Sequence, residues 1–444
     1  MQNRLVVSTE CPNCGAPLDF SEGSNAVRCQ HCQSNLLVTG RKQILTYSIR
    51  PKLSAHRAAD LAAAAQSRES GSCRIMKQQL YFVPYYRFTG QDFLWEVVPG
   101  EAGSNDALPP TSLIETVFSE SHKEVQFQDR YIEKNFLAAD VEGLGVYSLG
   151  IRPAVLRLEL FSREALEALG RIVPVTTGTE AARTQGMKTP DSQTILHRKV
   201  LGNILSIIFF PFWILEIHSQ DGERLTIVDA VAETVIKTDA PPSLYASLDQ
   251  QPSSDPCVIG FRPLVCPNCA WDLPCNSDDV IFVCSSCHRG WQILGTQLSE
   301  IPYEIAARPD SARDAATQYL PFWILQVEIH QQSLRFFVPA FRYQRLKFLS
   351  DLGMRLSQAC PSYPIAKEIS HPLHGCYYDL EDAGRMADFI HVGLSSKNPT
   401  VAEALEGNAL SITHAQLTWL PFKVEGNFLT DPFTGSSLPR NLLL

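Results

Sequence analysis

Cys11-Pro-Asn-Cys14 and Cys29-Gln-His-Cys32 enclose fourteen residues between them, and the same spacing returns at Cys266-Pro-Asn-Cys269 and Cys284-Ser-Ser-Cys287. Two residues between cysteines make a tight turn that aims both sulfurs at one point. Two such turns joined by a short hairpin set four thiolates at the corners of a tetrahedron, the arrangement Zn²⁺ prefers. The spacing therefore predicts one Zn²⁺ on Cys11, Cys14, Cys29 and Cys32, and a second on Cys266, Cys269, Cys284 and Cys287. Four sulfurs leave no position for water or substrate, so both ions are expected to be structural and to supply folding free energy to ribbons too short to fold alone. Redox Cys-x-x-Cys pairs and a rubredoxin-like iron are the competing readings. No helical pattern follows any pair, and Cys11-Pro-Asn-Cys-Gly-Ala-Pro reads as turn chemistry, which favours zinc.

Cys11-Pro-Asn-Cys-Gly-Ala-Pro-Leu-Asp-Phe followed by Val-Arg-Cys-Gln-His-Cys32 resembles the bacterial zinc ribbons of the transcription-factor-B or rubredoxin-like type. The resemblance covers about 30 residues of each half, and such ribbons occur in proteins of many functions, so it implies metal binding rather than an activity. The second copy has Ala270 where the first has Gly15, and Gln33 and His288 follow the later cysteine pairs. These departures bear on the turns and leave the ligand assignment unchanged.

The 255-residue offset between the cysteine sets invites a search for a second copy of the downstream sequence. Tyr81-Phe-Val-Pro84 has a counterpart in Tyr319-Leu-Pro321, and Arg152-Pro153 through Phe161-Ser162 resembles Val338-Pro339 through Leu349-Ser350. Phe210-Pro211, running to Asp229, parallels Leu420-Pro421, running to Asp431. Asp239–Cys257, rich in proline and serine, reads as a linker. The expected division is a ribbon at 1–45, a module at 46–238, the linker at 239–257, a second ribbon at 258–298 and a second module at 299–444. The expected class is α+β, in two tandem halves, each a small ribbon followed by a mixed α/β module with a mainly antiparallel sheet.

Helices are expected at Ala55–Gln66 and Pro309–Gln318, where strong helix formers follow a serine or aspartate cap. Asp221-Gly222 signals a hairpin, and proline in the recurring Pro-aromatic unit marks a strand start, an edge or a bulge. Pro99–Ser112 and Pro174–Gln193 read as loops. Leu201–Ile217 is the longest apolar stretch but contains Asn203, Pro211 and Glu216. Its counterpart, Thr413–Gly426, holds a lysine and a glutamate, so a buried strand is expected and a membrane span is not.

The chain has 444 residues, 45% of them hydrophobic, and a net charge of −9. That composition excludes global disorder and a protein held to DNA by a broad basic field. Residues 1–50 carry five basic and three acidic residues, and 260–300 carry two and four, so only the first ribbon suits an anionic partner. The N-terminal segment lacks a signal-peptide core, and a cytoplasmic location is expected. His371-Pro-Leu-His374-Gly-Cys376 reads as a loop before a metal site, and Phe341–Phe348, basic and aromatic by turns, as a half-buried strand. Cys275 reads as a packed thiol, and Asp229 and Asp431 as turn residues. No phosphate loop, nucleophile elbow or His-Glu-x-x-His motif is present. The leading expectation is a non-catalytic interaction or assembly scaffold with a protein partner; nucleic-acid binding through the first ribbon, and an enzyme with a cleft between the halves, are the alternatives.

Overall fold

A computed structural model of the chain describes residues 5–39, 44–70, 73–99, 123–149, 156–188, 195–219, 222–249, 259–309, 316–329, 332–366, 372–395 and 410–444. The first half opens with β1 (Val6–Glu10), β2 (Pro17–Ser21), β3 (Ala26–Arg28) and β4 (Asn35–Thr39) around the first cysteine set. Then come β5 (Leu45–Ser48), α1 (Ala55–Ser70), β6 (Arg74–Pro99), β7 (Lys123–Leu137), β8 (Arg157–Leu160), α2 (Arg163–Glu167), β9 (Arg171–Ile172) and α3 (Thr179–Met187). It closes with β10 (Ile195–Ser219), β11 (Gly222–Asp229), β12 (Thr234–Ala240) and α4 (Leu244–Leu248). The second half runs β13 (Gly260–Pro263), β14 (Ile281–Val283), β15 (Gly290–Leu294), β16 (Gln297–Ile301), β17 (Tyr303–Ile305), β18 (Thr317–Ile329) and β19 (Gln332–Pro339). It ends with α5 (Leu346–Ala359), α6 (Leu380–Ser395), β20 (Ser411–Glu425), β21 (Phe428–Thr430) and β22 (Ser437–Pro439). The fold is α+β, with a large mainly antiparallel sheet in each half.

Both large sheets are built on one antiparallel central pair, β6 with β10 and β18 with β20, and every central strand carries an aromatic-x-Pro triplet. The register is the same in both: Phe82, Val83 and Pro84 face Pro211, Phe210 and Phe209, while Tyr319, Leu320 and Pro321 face Pro421, Leu420 and Trp419. Proline has no N–H to give a ladder, and in mid-sheet that normally costs a hydrogen bond. Here each proline stands where the outer edge of its strand changes neighbour. β10 pairs with β5 up to Phe209 and with β11 from Phe212, so Pro211 falls in the gap. β20 pairs with β17 up to Trp419 and with β21 from Lys423, around Pro421. β6 passes from β9 to β7 around Pro84, and β18 from the bridge at Leu373 to β19 around Pro321. The prolines are thus neither at strand starts nor at bulges; each occupies a gap between two outer neighbours, where no outward donor is required.

Side connections repeat as well. Ala138 N–H donates to Pro84 O at 2.9 Å and Ala340 N–H to Pro321 O at 2.9 Å. Ala138 O accepts from Thr176 and Thr177 N–H, as Ala340 O accepts from Tyr377 and Tyr378 N–H. The Tyr86 hydroxyl then donates to Thr177 O, and the Trp323 indole to Tyr378 O. Asp229 and Asp431 close matching turns, accepting from Val231 and Ala232 N–H and from Thr434 N–H.

Several expectations change. The counterpart of Val338-Pro339-Ala340 is Phe136-Leu137-Ala138, fixed by the shared bond to the proline carbonyl, and not Arg152–Phe161. Of that stretch, residues 157–160 form β8 beside β1 and β5, and Ser162 caps α2, whereas Ser350 lies inside α5. Phe341–Arg345 is irregular and leads into α5; burial of Phe341, Tyr343, Leu346 and Leu349 holds it in place of strand pairing. The expected loop at Pro174–Gln193 contains α3, whose Ala182 and Gly186 are buried, the latter against Phe88. Part of the expected linker, Leu244–Leu248, is α4 with both leucines in the first-half core. α1 forms as expected, with Ser54 at its start and Ala58, Ala62 and Gln66 on its buried face. The second expected helix falls largely on residues 310–315, outside the described residues, as do 100–112. Leu201–Ile217 lies within β10, and no helix among the described residues is long and apolar enough to cross a membrane.

Candidate metal centres

Each cysteine pair sits in the same turn. The residue after the second cysteine donates its N–H to the first cysteine's carbonyl: Gly15 to Cys11, Gln33 to Cys29, Ala270 to Cys266 and His288 to Cys284, at 2.8–3.0 Å. The first cysteine's own N–H is taken by Ala16, Ser34, Trp271 and Arg289 carbonyls in turn. All four residues at the donating position have φ of 56–73°. Glycine reaches that left-handed region freely; Gln33, Ala270 and His288 reach it only because the turn requires it.

The eight cysteines named above fall into two groups whose sulfurs all lie within 4.8 Å of one another. In the first, Cys11 and Cys32 Sγ are 3.8 Å apart and Cys14 and Cys29 Sγ 3.9 Å; in the second, Cys266–Cys287 is 3.5 Å and Cys269–Cys284 3.6 Å. A tetrahedron with Zn–S bonds of about 2.3 Å has edges of about 3.8 Å, so the donor set fits the ion. Electrostatics points the same way. The Ser34 hydroxyl and N–H and the Asn13 amide lower the Cys32 thiol to about 5, whereas its neighbours' sulfurs and desolvation outweigh the Ala16 N–H and raise Cys14 to about 12. Burial works against Cys287, but the Arg289 N–H and hydrogen bonds from Cys266 and Asn268 bring it to about 6, while burial takes Cys284 up to about 12. Nearby donors thus favour the thiolate at Cys32 and at Cys287, and four thiolates together need a dication.

The two sites form one unit. β13, which leads into the second cysteine set, pairs with β4 of the first, from Gly260 opposite Thr39 to Pro263 opposite Leu36. The Asn25 amide donates to the carbonyls of Asp278 and Asp279 at 3.0 and 2.9 Å, and Asn35 Nδ2 to Leu273 O at 3.1 Å. Ala26 and Leu37 share a small core with Leu264, Leu273, Phe282 and Trp291. Cys275 packs against that core, and burial raises its thiol.

Other candidates separate from the metal sites. His31 and His288 are exposed, and His288 contributes its turn and a carbonyl to the Tyr303 hydroxyl. His374 N–H bonds Tyr319 O, and the Cys376 thiol is buried against Tyr378 O; His371 and Cys257 lie outside the described residues. Among the described residues only the two cysteine groups gather ligands for a metal.

Sequence reasoning missed two separate ion clusters that face the junction, one formed within each half. Arg87 on β6, 3% exposed, pairs with Glu22 from the first ribbon hairpin and with Glu133 on β7 at 3.0 Å. Glu22 also accepts from the Ser206 hydroxyl at 2.6 Å. From the second ribbon hairpin, Asp278 pairs with Arg342. One arginine inside the aromatic run Tyr85-Tyr86-Arg87-Phe88 was the available signal.

The site defines a protein with two closed four-cysteine centres, compatible with zinc ribbons and a metal-binding role. No protein-family profile, curated protein or solved structure matches the chain.

Proposed function

We propose that the chain is a two-zinc structural protein of two related halves, whose fused ribbons hold the modules together as a non-catalytic interaction or assembly scaffold. The observation that carries this reading is the shared core and strand pairing between the two cysteine centres. A closed four-sulfur site does no chemistry at the metal, and here it ties distant segments of one chain together. The ribbons' likeness to the transcription-factor-B or rubredoxin-like type fits this role. The division into ribbon and module at 1–45, 46–238, 258–298 and 299–444 follows the repeated register of the central strands, which supports an internal duplication. Free thiols at Cys73, Cys360 and Cys376 suit a reducing, cytoplasmic compartment.

Metal analysis of the purified full chain tests the zinc assignment, with two Zn²⁺ per chain expected. Affinity purification at natural abundance tests the scaffold role. A stoichiometric protein partner supports it, whereas salt-sensitive recovery of nucleic acid would replace it with the first-ribbon alternative.

A further inference from the structure

A cleft of about 600 Å³ lies between the halves, lined by Arg87, Gln91 and Tyr131 on one side and Arg342, Arg345 and Tyr377 on the other. Its hydrogen-bond accounting is lopsided. Glu22, the acidic side chain in its wall, has both oxygens engaged, Oε1 by the Ser206 hydroxyl and Oε2 by Arg87 Nη1. Arg87 Nε is taken by Glu133 at 3.0 Å, yet its Nη2 is buried without a partner. Leaving a guanidinium N–H dry and unpaired is costly, and such groups in native proteins call for a missing acceptor.

The facing wall adds to the surplus of donors. Arg342 is held by Asp278 through Nη1 and lies 5.8 Å over the Tyr377 ring. Arg345 is exposed at the rim and makes no ion pair among the described residues. Glu22, the one carboxylate side chain of the lining, is spent while arginine donors remain, so a ligand carrying an oxyanion is complementary to the cleft. Arginine is the side chain best suited to oxyanions, through its planar fork of N–H groups.

We propose that this cleft binds a small molecule bearing a carboxylate or phosphate group, whose oxygens accept hydrogen bonds from Arg345 and, as the wall over Arg87 yields to the ligand, from the buried Arg87 Nη2, with Tyr131 and Tyr377 flanking the remainder. Each ribbon hairpin contributes one carboxylate, Glu22 or Asp278, that positions an arginine of the cleft. Ligand binding is therefore linked to the metal-bound state of the ribbons. This goes beyond the scaffold role and does not depend on any protein partner.

The test is calorimetric titration of the zinc-loaded full chain at low ionic strength, with inorganic phosphate and with succinate separately. Saturable binding of one molecule per chain is expected for at least one of them, and the one that binds assigns the oxyanion. Arg345→Gln, a substitution at an exposed rim, should weaken it about tenfold or more. Arg87→Lys retains a cation for Glu22 and removes Nη2, and should abolish binding. Absence of saturable binding of both probes up to about 10 mM overturns the proposal, because a two-arginine oxyanion site should bind more tightly than that. Binding unchanged by Arg345→Gln also overturns it, and this variant keeps the test decisive if Arg87→Lys does not fold.

Discussion

The central strands of the first half are 26 and 25 residues long, those of the second 13 and 15, although both pairs share one register. Part of the surplus is spent outside the first half's own core. Phe93 on β6 and Leu201 on β10 are buried in the core of the second half, where the Phe93 ring meets Phe389 of α6 at 5.6 Å. Lys199 pairs with Asp388 at 2.7 Å, and Gly202 N–H reaches Asp382 at 3.3 Å. Before its last central strand the second half places α5 and α6, of 14 and 16 residues, where the first half has α2 and α3, of 5 and 9, in addition to its own 16-residue α1. The two sheets share one central register, and where they differ the long strands of the first half reach α6 of the second.

Removing a buried ligand sulfur should break the molecule most severely, because apparent zinc-binding free energies of about 10–16 kcal/mol enter folding directly. Cys284→Ser is expected to remove one Zn²⁺ per chain. Since both ribbons share Ala26, Leu37, Leu264 and Phe282 in one core, it should also weaken zinc retention at the first site in a chelator competition. Unchanged retention there would mean that the centres are energetically separate.

Phe93→Ala tests the reach of the longer strands. The ring is 1% exposed in the other half's core, so the loss should be about 3–5 kcal/mol. In urea the wild type is expected to unfold in one transition and Phe93→Ala in two, with the second half melting first. A loss under about 1 kcal/mol would show that the strand ends merely rest on α6.

How much of the fold and site was legible in the sequence depends on which contacts are local. The cysteine turns close within a few residues, so spacing alone located all eight candidate ligands. The aromatic-x-Pro triplets marked the central strands, because proline restricts its own position whatever surrounds it. The Pro-Ala dipeptides at 153 and 339 misled, since identity of two residues carries less information than the bond from Ala138 or Ala340 to a proline carbonyl. Phe341–Phe348 has strand composition, but its burial is set by α5 and the C-terminal residues around it; Tyr343 bonds Pro439 O, and Gln344 N–H bonds Leu442 O. Arg87 and Glu22 are 65 positions apart, and no local pattern joins them.

The ribbon hairpins also differ in charge at one buried position. At the 255-residue offset Asp279 corresponds to Ser24. Asp279 is packed against Gly375, where a Cβ would collide with its carboxylate, and burial raises it to about 7 despite a hydrogen bond from Asn276. An acid with a raised folded pKa binds its proton more tightly in the native state. Stability from this group is therefore full below the unfolded value of about 3.8, falls as pH rises to about 7, and is level above it. Asp279→Asn should be more stable than the wild type, by a margin that grows from pH 4 to about 7 and then stays constant. A margin independent of pH would show that the carboxylate is already charged in the fold.

The smallest expected effect lies in the cysteine turns, and it separates the two ribbons most cleanly. The first begins with Gly15 at the left-handed position, φ 73°, whereas the second has Ala270 there, φ 58°. A non-glycine residue in this region costs about 1 kcal/mol, offset in part by the greater unfolded-state freedom of glycine. Ala270→Gly should therefore stabilise the second ribbon and Gly15→Ala destabilise the first, each by about 0.5 kcal/mol. Nothing lies within 4 Å of a Cβ built at Gly15, so any loss there is conformational and not a clash. Zinc-release kinetics from each site is the matching measurement, with slower release expected from the second site in Ala270→Gly and faster release from the first in Gly15→Ala. If both substitutions leave the rates unaltered, the metal holds the turn so firmly that backbone preference no longer counts, and the difference between the ribbons has no energetic consequence.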